Sequence, residues 1–585
     1  MQFNKKGLIK ELKESISLKD AFIRSIDIDS KTILLPICKA HLEDKELIKD
    51  LREIKNEYLS FFPFKSNFTE EAFYEWFKNL LNDQGKILFL ILNSIGKTEG
   101  IVGLSIMDKE SVVEIDNFIT GSANFNEEFF GQTINKLIEW VCEVLMIQCI
   151  KVRVYDNNLD AISFYQKNSF VIKEEIPLDK INKNDFISVI NPCDLISENK
   201  NVLFMEHSKT FARKNNELLL TAGPSISQLE SYYAFDAAKN GWNRNWSYYI
   251  NKLEEEFAEY VGVKHAIATS SCTGALHIAL LALDIGEGDE VIVPDQTWVA
   301  TANAVKYTGA KPVFADIELN TWNIDPLKIE SLITPKTRAI IPVHMYGNPS
   351  NMAMIKSIAK EKNLFIVEDA APSIGAEHEG RKTGSFGEFG AFSFQGAKLM
   401  VTGEGGMLVT NNTDLYKKAY KIWDQGRNAT ASRAFWIDSY GVKYKMSNVQ
   451  AAIGLGQLRR IDLLIDAKRK IFKKYKKLLN HIKCLDFIEE YPNSKSICWM
   501  TSFSLNKFSP ISRDDLIKGL KENGIDSRPV FPAISQYPIW GEKYIPKENS
   551  LFIGDNGINL PSGVCLKSCE VEYVCEVIEK LLVNS

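Results

Sequence analysis

The sequence has few of the residues that build disulfide frameworks or metal sites. Ten cysteines are scattered along 585 residues without a CxxC pair, and the seven histidines do not cluster near them. This pattern argues against a disulfide-stapled fold and against a zinc site of the usual spacing. We therefore expect reduced thiols and no bound metal.

Long apolar runs and an excess of either charge are also missing. No stretch of about 18 apolar residues occurs, so no membrane span is predicted. The opening residues MQFNKKGLIKELKES lack the apolar core of a signal peptide. The net charge of -5 gives no electrostatic basis for binding nucleic acid. These absences predict a cytoplasmic protein with no nucleic-acid partner and no membrane insertion.

The remaining pattern predicts two α/β domains. Strand-like runs such as KILFLIL and GIVGLSIM alternate with amphipathic helices over residues 30–180, and polar residues interrupt the pattern over 181–220. Further along, the apolar runs HAIATS, DEVIVP and LFIVEDAA are separated by helices, which predicts a mainly parallel sheet covered on both faces. We expect a first domain with a linker over 1–195, and a second domain over 196–585.

One lysine, Lys398, stands in the segment FSFQGAKLMVTGEGGM between a polar turn and a run of glycines. Glycine lets the backbone come close to a ligand or adopt a positive φ. We interpret Gly396, Gly403, Gly405 and Gly406 as residues that make room for a cofactor and a substrate around Lys398.

Other candidate ligands lie at predicted strand ends. The segment SSCTGALHIAL puts small residues at a strand-to-helix junction, which is typical of an anion site and also of an ordinary helix cap. Trp298 ends a strand where ligands of such folds bind, although a core tryptophan is the alternative. Glu368 and Asp369 end another strand, and a buried carboxylate needs a partner.

Together these groups would suit pyridoxal phosphate. The helix start and Ser393 would hold the phosphate, and Trp298 would stack on the ring. Asp369 would keep the pyridine nitrogen protonated, and Lys398 would form the covalent bond.

Residues 219–585 resemble the sugar-nucleotide aminotransferase family, fold-type I enzymes that move an amino group from glutamate onto a keto-sugar nucleotide. The resemblance lies in FAEYVGVKHAIATSSCTGALHIALLAL, GDEVIVPDQTWVATANAV, VHMYGNP, VEDAAPSIGA, GAFSFQGAKLMVTGEGGM and YKMSNVQAAIGLGQL. It implies a smaller C-terminal α/β subdomain, a homodimer, Lys398 as the Schiff-base lysine and Asp369 as the ring-nitrogen partner. Further cofactor contacts are implied for Cys272, Thr273, Trp298, Ser393 and, toward the neighbouring subunit's phosphate, Asn448.

Two residues depart from the family pattern. Cys272 stands where glycine is common, and Pro372 stands where a polar side chain often contacts the cofactor's phenolic oxygen. A related sugar 3-dehydratase has histidine in place of the lysine, so Lys398 indicates transamination rather than dehydration.

The segment VYDNNLDAISFYQKNSFV predicts a helix whose apolar stripe packs on a sheet, and it also resembles the closing segment of GNAT-superfamily N-acetyltransferases. LREIKNEYLSFFPFKSNFTEEAFYEWF resembles the opening of the amino-sugar acetylating branch. This resemblance covers about residues 30–175 and implies a mixed α/β domain that uses acetyl-coenzyme A. It implies Asn158 near the pantetheine arm and Tyr165 as general acid toward the departing thiolate.

The pyrophosphate loop of that superfamily is only partly retained. In NEEFFG the last glycine, Gly131, remains, whereas Phe129 occupies the position of the other. Glu127 and Glu128 could repel a pyrophosphate, and Ser169 replaces the usual glycine before Phe170.

The two resemblances predict a bifunctional enzyme. The second domain would aminate a nucleotide-linked keto-deoxysugar with glutamate as donor, and the first would acetylate the new amine. The enzymatic alternative is aminotransferase activity alone, with an inert first domain used for docking or packing. A regulatory protein is disfavoured because residues 1–195 contain no helix-turn-helix or basic module. The nucleotide, the sugar and the aminated carbon stay open, although carbon 4 of a 6-deoxyhexose is favoured at family level.

Overall fold

The computed structural model describes residues 25–28, 32–57, 68–93, 98–107, 112–120, 127–145, 147, 149–155, 158–177, 201–207, 218–428, 431–433, 435–541 and 545–583, together with Ile9 and Lys13. The chain divides into two compact units. The first unit comprises residues 2–211 and 227–232, and the second comprises 212–226 and 233–585. The division therefore falls beyond the predicted boundary at residue 195, because the strand Asn201–His207 pairs within the first unit's sheet.

The first unit contains an eight-stranded sheet. Its strands are β1 (Ile26–Asp27), β2 (Ile33–Pro36), β3 (Lys86–Leu92), β4 (Thr98–Met107), β5 (Val112–Thr120), β6 (Cys149–Tyr155), β7 (Phe170–Pro177) and β8 (Asn201–His207). They lie in the order β1-β2-β3-β4-β5-β6-β8-β7, and β5 and β6 are the one parallel pair among these strands. The helices are α1 (Lys45–Glu57), α2 (Glu70–Asn82), α3 (Glu127–Val144) and α4 (Leu159–Lys167). The described part of this unit thus contains a mainly antiparallel sheet and four α-helices.

The second unit is built around a seven-stranded sheet. Its strands are β9 (His265–Thr269), β10 (Glu290–Pro294), β11 (Lys311–Ala315), β12 (Thr337–Ile340), β13 (Phe365–Asp369), β16 (Phe389–Ser393) and β17 (Gly406–Thr410), in the order β11-β10-β12-β13-β16-β17-β9. Only β17 runs antiparallel to its neighbours in this sheet. The prediction of a mainly parallel sheet is confirmed.

Helices cover this sheet because its strands are buried along nearly their whole length. They are α6 (Tyr248–Val261), α7 (Cys272–Ala282), α8 (Ala300–Tyr307), α9 (Pro326–Ile329), α10 (Met352–Lys362), α11 (Thr413–Trp423) and α12 (Asn448–Arg459). The helix α5 (Gln228–Asn240) precedes them, and its residues 228–232 are grouped with the first unit. The apolar helix α7 is buried on nearly every side, and it packs with β10 and β13 in the central core.

A smaller α/β subdomain follows, as the sequence predicts. The long helix α13 (Ile461–Leu479), α14 (Arg513–Glu522) and α16 (Ser568–Val583) pack with a four-stranded antiparallel sheet of β18 (Leu485–Phe487), β20 (Thr501–Leu505), β22 (Gly557–Leu560) and β21 (Arg528–Pro529). The helix α15 (Glu548–Asn556) precedes β22, and β14 (Glu377–His378), β15 (Arg381–Lys382) and β19 (Ser494–Lys495) form a small separate sheet. Among the helices in the described ranges, none is long and apolar enough to cross a membrane.

Candidate active site

Three strand ends and one helix start meet at one edge of the seven-stranded sheet. β13 ends at Asp369, and its parallel neighbour β16 ends at Ser393. Ser393 is paired with Gly406, which is in turn paired with Thr269 at the end of β9. Helix α7 begins at Cys272, only three residues after Thr269. The topology therefore brings together the predicted ring-nitrogen partner and the predicted phosphate ligands.

Asp369 is a buried carboxylate with several donors. The Thr301 hydroxyl donates to Oδ2 at 2.7 Å, and the Ala371 N–H donates to Oδ1 at 3.1 Å. Burial raises the pKa of Asp369, whereas these hydrogen bonds and the charge of Lys398 act in the opposite direction. The two donors thus hold the carboxylate in a fixed orientation. Because burial disfavours its negative charge, a nearby cation stabilises that charge.

Cys272 connects the start of α7 to this carboxylate. Its buried thiol lies 3.9 Å from Asp369 Oδ1 and is placed to donate to it. Burial and the Asp369 charge raise the pKa of Cys272 well above its ordinary value, so the thiol stays protonated. The departure from the family's glycine therefore adds a contact to Asp369, besides any effect on the approach to a phosphate.

Lys398 lies on a turn, where its backbone N–H donates to the Gln395 carbonyl at 2.8 Å. Its Nζ lies 3.9 Å from the centre of the Trp499 ring. Burial lowers the pKa of Lys398 to about 8, although the negative charge of Asp369 opposes the shift. An amine with that pKa is unprotonated in about a tenth of molecules at pH 7, far more than an exposed lysine.

Two of the glycines after Lys398, Gly405 and Gly406, are closely packed against the protein itself. A Cβ on Gly406 would lie 2.6 Å from the Cys272 nitrogen, and one on Gly405 would lie 2.4 Å from the Thr402 hydroxyl. Gly403 adopts a φ of +83° in the turn. Gly405 and Gly406 therefore let the turn close and let β17 approach the start of α7. Beside Gly403 the space is open, and the interpretation that Gly396 and Gly403 make room for a ligand stays a prediction.

Trp298 presents an open aromatic face. Its side chain is 55% exposed, and its ring centre lies 5.4 Å from that of Phe531. A core tryptophan, the alternative at sequence level, is wrong. An indole that is exposed at the carboxyl edge of the sheet can stack on a flat ligand.

Asn448 is held by its own chain. It is the first residue of α12, and its Oδ1 accepts from the Tyr249 N–H at 2.9 Å at the start of α6. Its Nδ2 lies 3.5 Å from the Gly241 carbonyl and 3.4 Å from the Asn245 carbonyl. Three aromatic side chains in the same segment, Trp242, Trp246 and Tyr248, are more than half exposed.

Glu368 occupies the opposite face of β13 from Asp369, because side chains alternate along a strand. It accepts from the Gly384, Phe386 and Gly387 N–H groups at 2.6 to 2.8 Å. His344 Nε2 lies 3.1 Å away, and since the Ser350 N–H donates to His344 Nδ1, the other ring nitrogen carries the proton. The buried carboxylate of Glu368 is thus paired with three backbone N–H groups and with His344, and these contacts are structural.

The residues predicted for acetyl transfer lie in the first unit, and each has a local structural contact. Asn158 is the N-cap of α4, where its Oδ1 accepts from the Ala161 N–H at 3.1 Å. Gly131 lies inside α3 rather than on a loop, and a Cβ there would be 3.1 Å from Asn168 Oδ1. Asn126, the first residue of the predicted pyrophosphate pattern, lies outside the described residues.

Tyr165 lies on α4 and is buried between the rings of Phe164 and Phe170. Burial raises the pKa of its hydroxyl, and the charges of Asp116 and Glu114 raise it further. The hydroxyl therefore stays protonated through the neutral range.

A family model for the DegT/DnrJ/EryC1/StrS aminotransferases matches residues 224–579. That match covers more than half of the chain and spans every element of the site at the edge of the seven-stranded sheet. The chain belongs to this aminotransferase family.

Individual relatives of this aminotransferase agree with the assignment. It is 40% identical over 360 residues to a GDP-perosamine synthase of Escherichia coli O157:H7, a match that covers 61% of this chain and 96% of the relative. It is 38% identical over 364 residues to a GDP-perosamine synthase of Caulobacter vibrioides, covering 62% and 98% respectively. Among solved structures, an aminotransferase from Psychrobacter cryohalolentis has a TM-score of 0.58 at 28% identity, with 62% of this chain and 98% of that one covered.

The aminotransferase is a pyridoxal-phosphate-dependent sugar aminotransferase, and its residues fit that cofactor. A buried carboxylate, an amine with a lowered pKa, an exposed indole and the positive end of α7 converge on one sheet edge. These are the groups that a protonated ring nitrogen, an aldehyde carbon, a planar ring and a phosphate require.

Sequence reasoning missed two residues of this site. Thr301 donates to Asp369, and the only signal was a hydroxyl one helical turn after Trp298 in the segment WVATANAV. Trp499 lies about a hundred residues from Lys398 along the chain and belongs to no motif that the sequence singled out.

Proposed function

We propose that the second unit transfers an amino group from glutamate to carbon 4 of a nucleotide-linked 4-keto-6-deoxyhexose. The observation that carries the proposal is the convergence of Lys398 and Asp369, a lysine whose pKa is lowered to about 8 beside a buried carboxylate. The similarity to GDP-perosamine synthases supports a nucleotide-linked sugar as substrate.

Each residue has a defined task in this reaction. Bound pyridoxal phosphate supplies the covalent attachment point and the electron sink. Lys398 holds the cofactor covalently and, once released, moves a proton to and from carbon. Asp369 keeps a positive charge on the ring nitrogen, and Thr301 and Ala371 orient that carboxylate. The start of α7 with Thr273, together with Ser393, would bind the phosphate, and Trp298 would cover one face of the ring.

The substrate is tested by incubating the full chain with glutamate and separate GDP-, dTDP- and UDP-linked keto-sugars. Mass spectrometry should find an amino sugar with one of the three, and 2-oxoglutarate should form in equal amount. If none of them is aminated while glutamate alone is converted, the nucleotide-linked keto-sugar is the wrong substrate class.

We further propose that the enzyme is a homodimer in which Asn448 contacts the cofactor phosphate of the partner subunit. The exposed side chains of Trp242, Trp246 and Tyr248 lie in the segment that Asn448 binds, and clustered exposed aromatic residues are typical of interfaces.

Mixing two inactive chains tests this arrangement. Lys398→Ala and Asn448→Ala are each expected to be impaired, and a mixture refolded or exchanged together should recover roughly a quarter of wild-type activity, because half of the dimers contain one native site. Pairing Lys398→Ala with Asn411→Ala, an exposed residue of the same unit, provides the positive control. An impaired Asn448→Ala chain that no mixture rescues would show that Asn448 serves its own chain.

For the first unit, we propose acetyl-coenzyme A-dependent acetylation of the new amine. A buried polar cluster that includes Asp116, whose charge acts on Tyr165, supports a chemical role. Lys55 Nζ donates to Asn117 Oδ1 at 2.9 Å and lies 3.5 Å from the centre of the Trp76 ring, and the Ser105 hydroxyl donates to Asp116 Oδ2 at 2.6 Å.

Burial lowers the pKa of Lys55 to about 7. Groups perturbed to this extent are concentrated at functional sites, since burying them costs stability. The alternative is a first unit used only for docking or packing.

Tyr165→Phe tests this second activity. The ring and its packing remain while the proton donor is lost, so acetylation should slow by about 10²–10⁴-fold. Amination should be unchanged because its residues belong to the other compact unit, and the free amino sugar should accumulate. Tyr74→Phe, at an exposed tyrosine of the same unit, is the matched control. If calorimetry on the full chain finds no binding of acetyl-coenzyme A and no acetylated product forms, the docking or packing alternative stands.

A further inference from the structure

We propose that Trp499 is a positioning residue that holds the Lys398 amine whenever that amine is not bonded to the cofactor. Nζ of Lys398 lies 3.9 Å from the centre of the indole ring, within the range of a cation–π contact. The proposal rests on the role given to Lys398 under the proposed function.

The indole ring is fixed to the turn that carries the lysine. Its Nε1–H donates to the carbonyl of Ala397, the residue before Lys398, at 2.9 Å. The Trp499 backbone N–H donates to the Tyr346 carbonyl at 2.9 Å, and the side chain is only 6% exposed. The ring and the lysine turn must therefore move together.

Tyr346 packs against the Trp499 ring, and the backbone of Tyr346 is strained. Its φ of +50° is unfavourable for a residue with a side chain, and such strain persists only where the surroundings enforce it. Its ring centre lies 5.8 Å from that of Trp499, and its hydroxyl accepts from Asn559 Nδ2 at 3.0 Å. The Ser502 hydroxyl fixes Asn559 in turn, at 2.6 Å. A chain of contacts thus reaches from the small subdomain to the lysine.

This arrangement addresses a requirement of transamination. When the amino donor takes the place of Lys398 on the cofactor, the released amine must stay near the carbon whose proton it moves. The neutral amine would take the proton from the donor's carbon, become an ammonium, and deliver the proton to the cofactor's carbon, so that the lysine would again be a neutral amine. The face of an indole attracts the ammonium without forming a hydrogen bond that would compete for the proton.

Labelling of the lysine tests the contact directly. The full-length chain is first treated with hydroxylamine, which breaks the covalent bond between the cofactor and Lys398, and is then dialysed. It is treated with trace acetic anhydride from about pH 6 to pH 10, and the Lys398 peptide is quantified by mass spectrometry. Without the ring face, the ammonium loses its stabilisation. Trp499→Leu should therefore be labelled at Lys398 about threefold faster or more at pH 7, while Trp499→Phe should stay within about twofold of wild type.

Lys417 is an exposed lysine in the same digest, and its labelling provides the internal reference for the amount of active reagent. If Trp499→Leu does not fold, Trp499→Met replaces it, since both remove the aromatic face and keep an apolar side chain. A leucine or methionine variant with the wild-type pH profile at Lys398 would overturn the proposal, and so would a phenylalanine variant that changes as much as leucine. The readout needs no turnover, so its failure is distinct from failure of the Lys398 assignment.

Discussion

Lys398→Ala is expected to abolish transamination while the chain stays folded. In the proposed reaction, the variant loses both the covalent attachment of the cofactor and the amine that moves the proton. The rate should therefore fall by more than about 10⁴-fold, the upper end of what one proton-transfer group contributes. The visible absorbance band that arises from the covalent bond between the cofactor and Lys398 should disappear. The circular dichroism spectrum should be unchanged.

Lys417→Ala provides the control for this experiment, because Lys417 is exposed and contacts only Asp414 among the ion pairs of the described residues. It should retain wild-type turnover and spectrum. Continued conversion of keto-sugar by Lys398→Ala would mean that another lysine carries the reaction.

Asp369→Asn should lower turnover far more than it lowers cofactor occupancy. The substitution keeps the shape of the side chain but removes the negative charge that holds the ring nitrogen protonated. One amide oxygen can still accept from Thr301 or Ala371, so the loop should hold its position. We expect a loss of about 10²–10³-fold in turnover, the scale of removing one fixed electrostatic contact to the reacting system.

Asp316→Asn is the matched control for that variant. Asp316 is also a buried carboxylate, and it accepts from the Ser550 N–H at 3.0 Å and from the Ser550 hydroxyl at 2.9 Å. Its substitution should lower the unfolding midpoint without a comparable loss of turnover. Near-normal turnover in Asp369→Asn would mean that a different group keeps the ring nitrogen protonated.

Local patterns predicted much of the second unit. The apolar runs form the central strands, and Asp369 lies at the carboxyl edge of the sheet, where the sequence predicts a residue that contacts the cofactor. Local sequence patterns did not predict contacts between segments that are distant along the chain. Nothing in the segment around Trp499 indicates that it covers Lys398, and the basic run from Lys468 to Lys477 did not reveal that Lys468 is buried and donates to the Ser562 carbonyl.

The first unit was less predictable for two physical reasons. Because the strand Asn201–His207 follows a long polar stretch, the sequence pattern places it in the second domain and not in the sheet of the first unit. The motif resemblance predicts a loop at Gly131, whereas the amphipathic pattern that begins at Glu127 fits the helix that the structure shows.

The pairing of β9 with β17 also constrains the order of events during synthesis. β9 is an edge strand, and its partner in the seven-stranded sheet, β17, is translated more than a hundred residues later. Until residues 406–410 have left the ribosome, β9 and the start of α7 have no strand to hold them against Ser393. A non-local contact of this kind forms late and slowly. If this end of the site binds the phosphate as proposed, a nascent chain shorter than about 410 residues cannot capture the cofactor there, and loading follows the completion of β17.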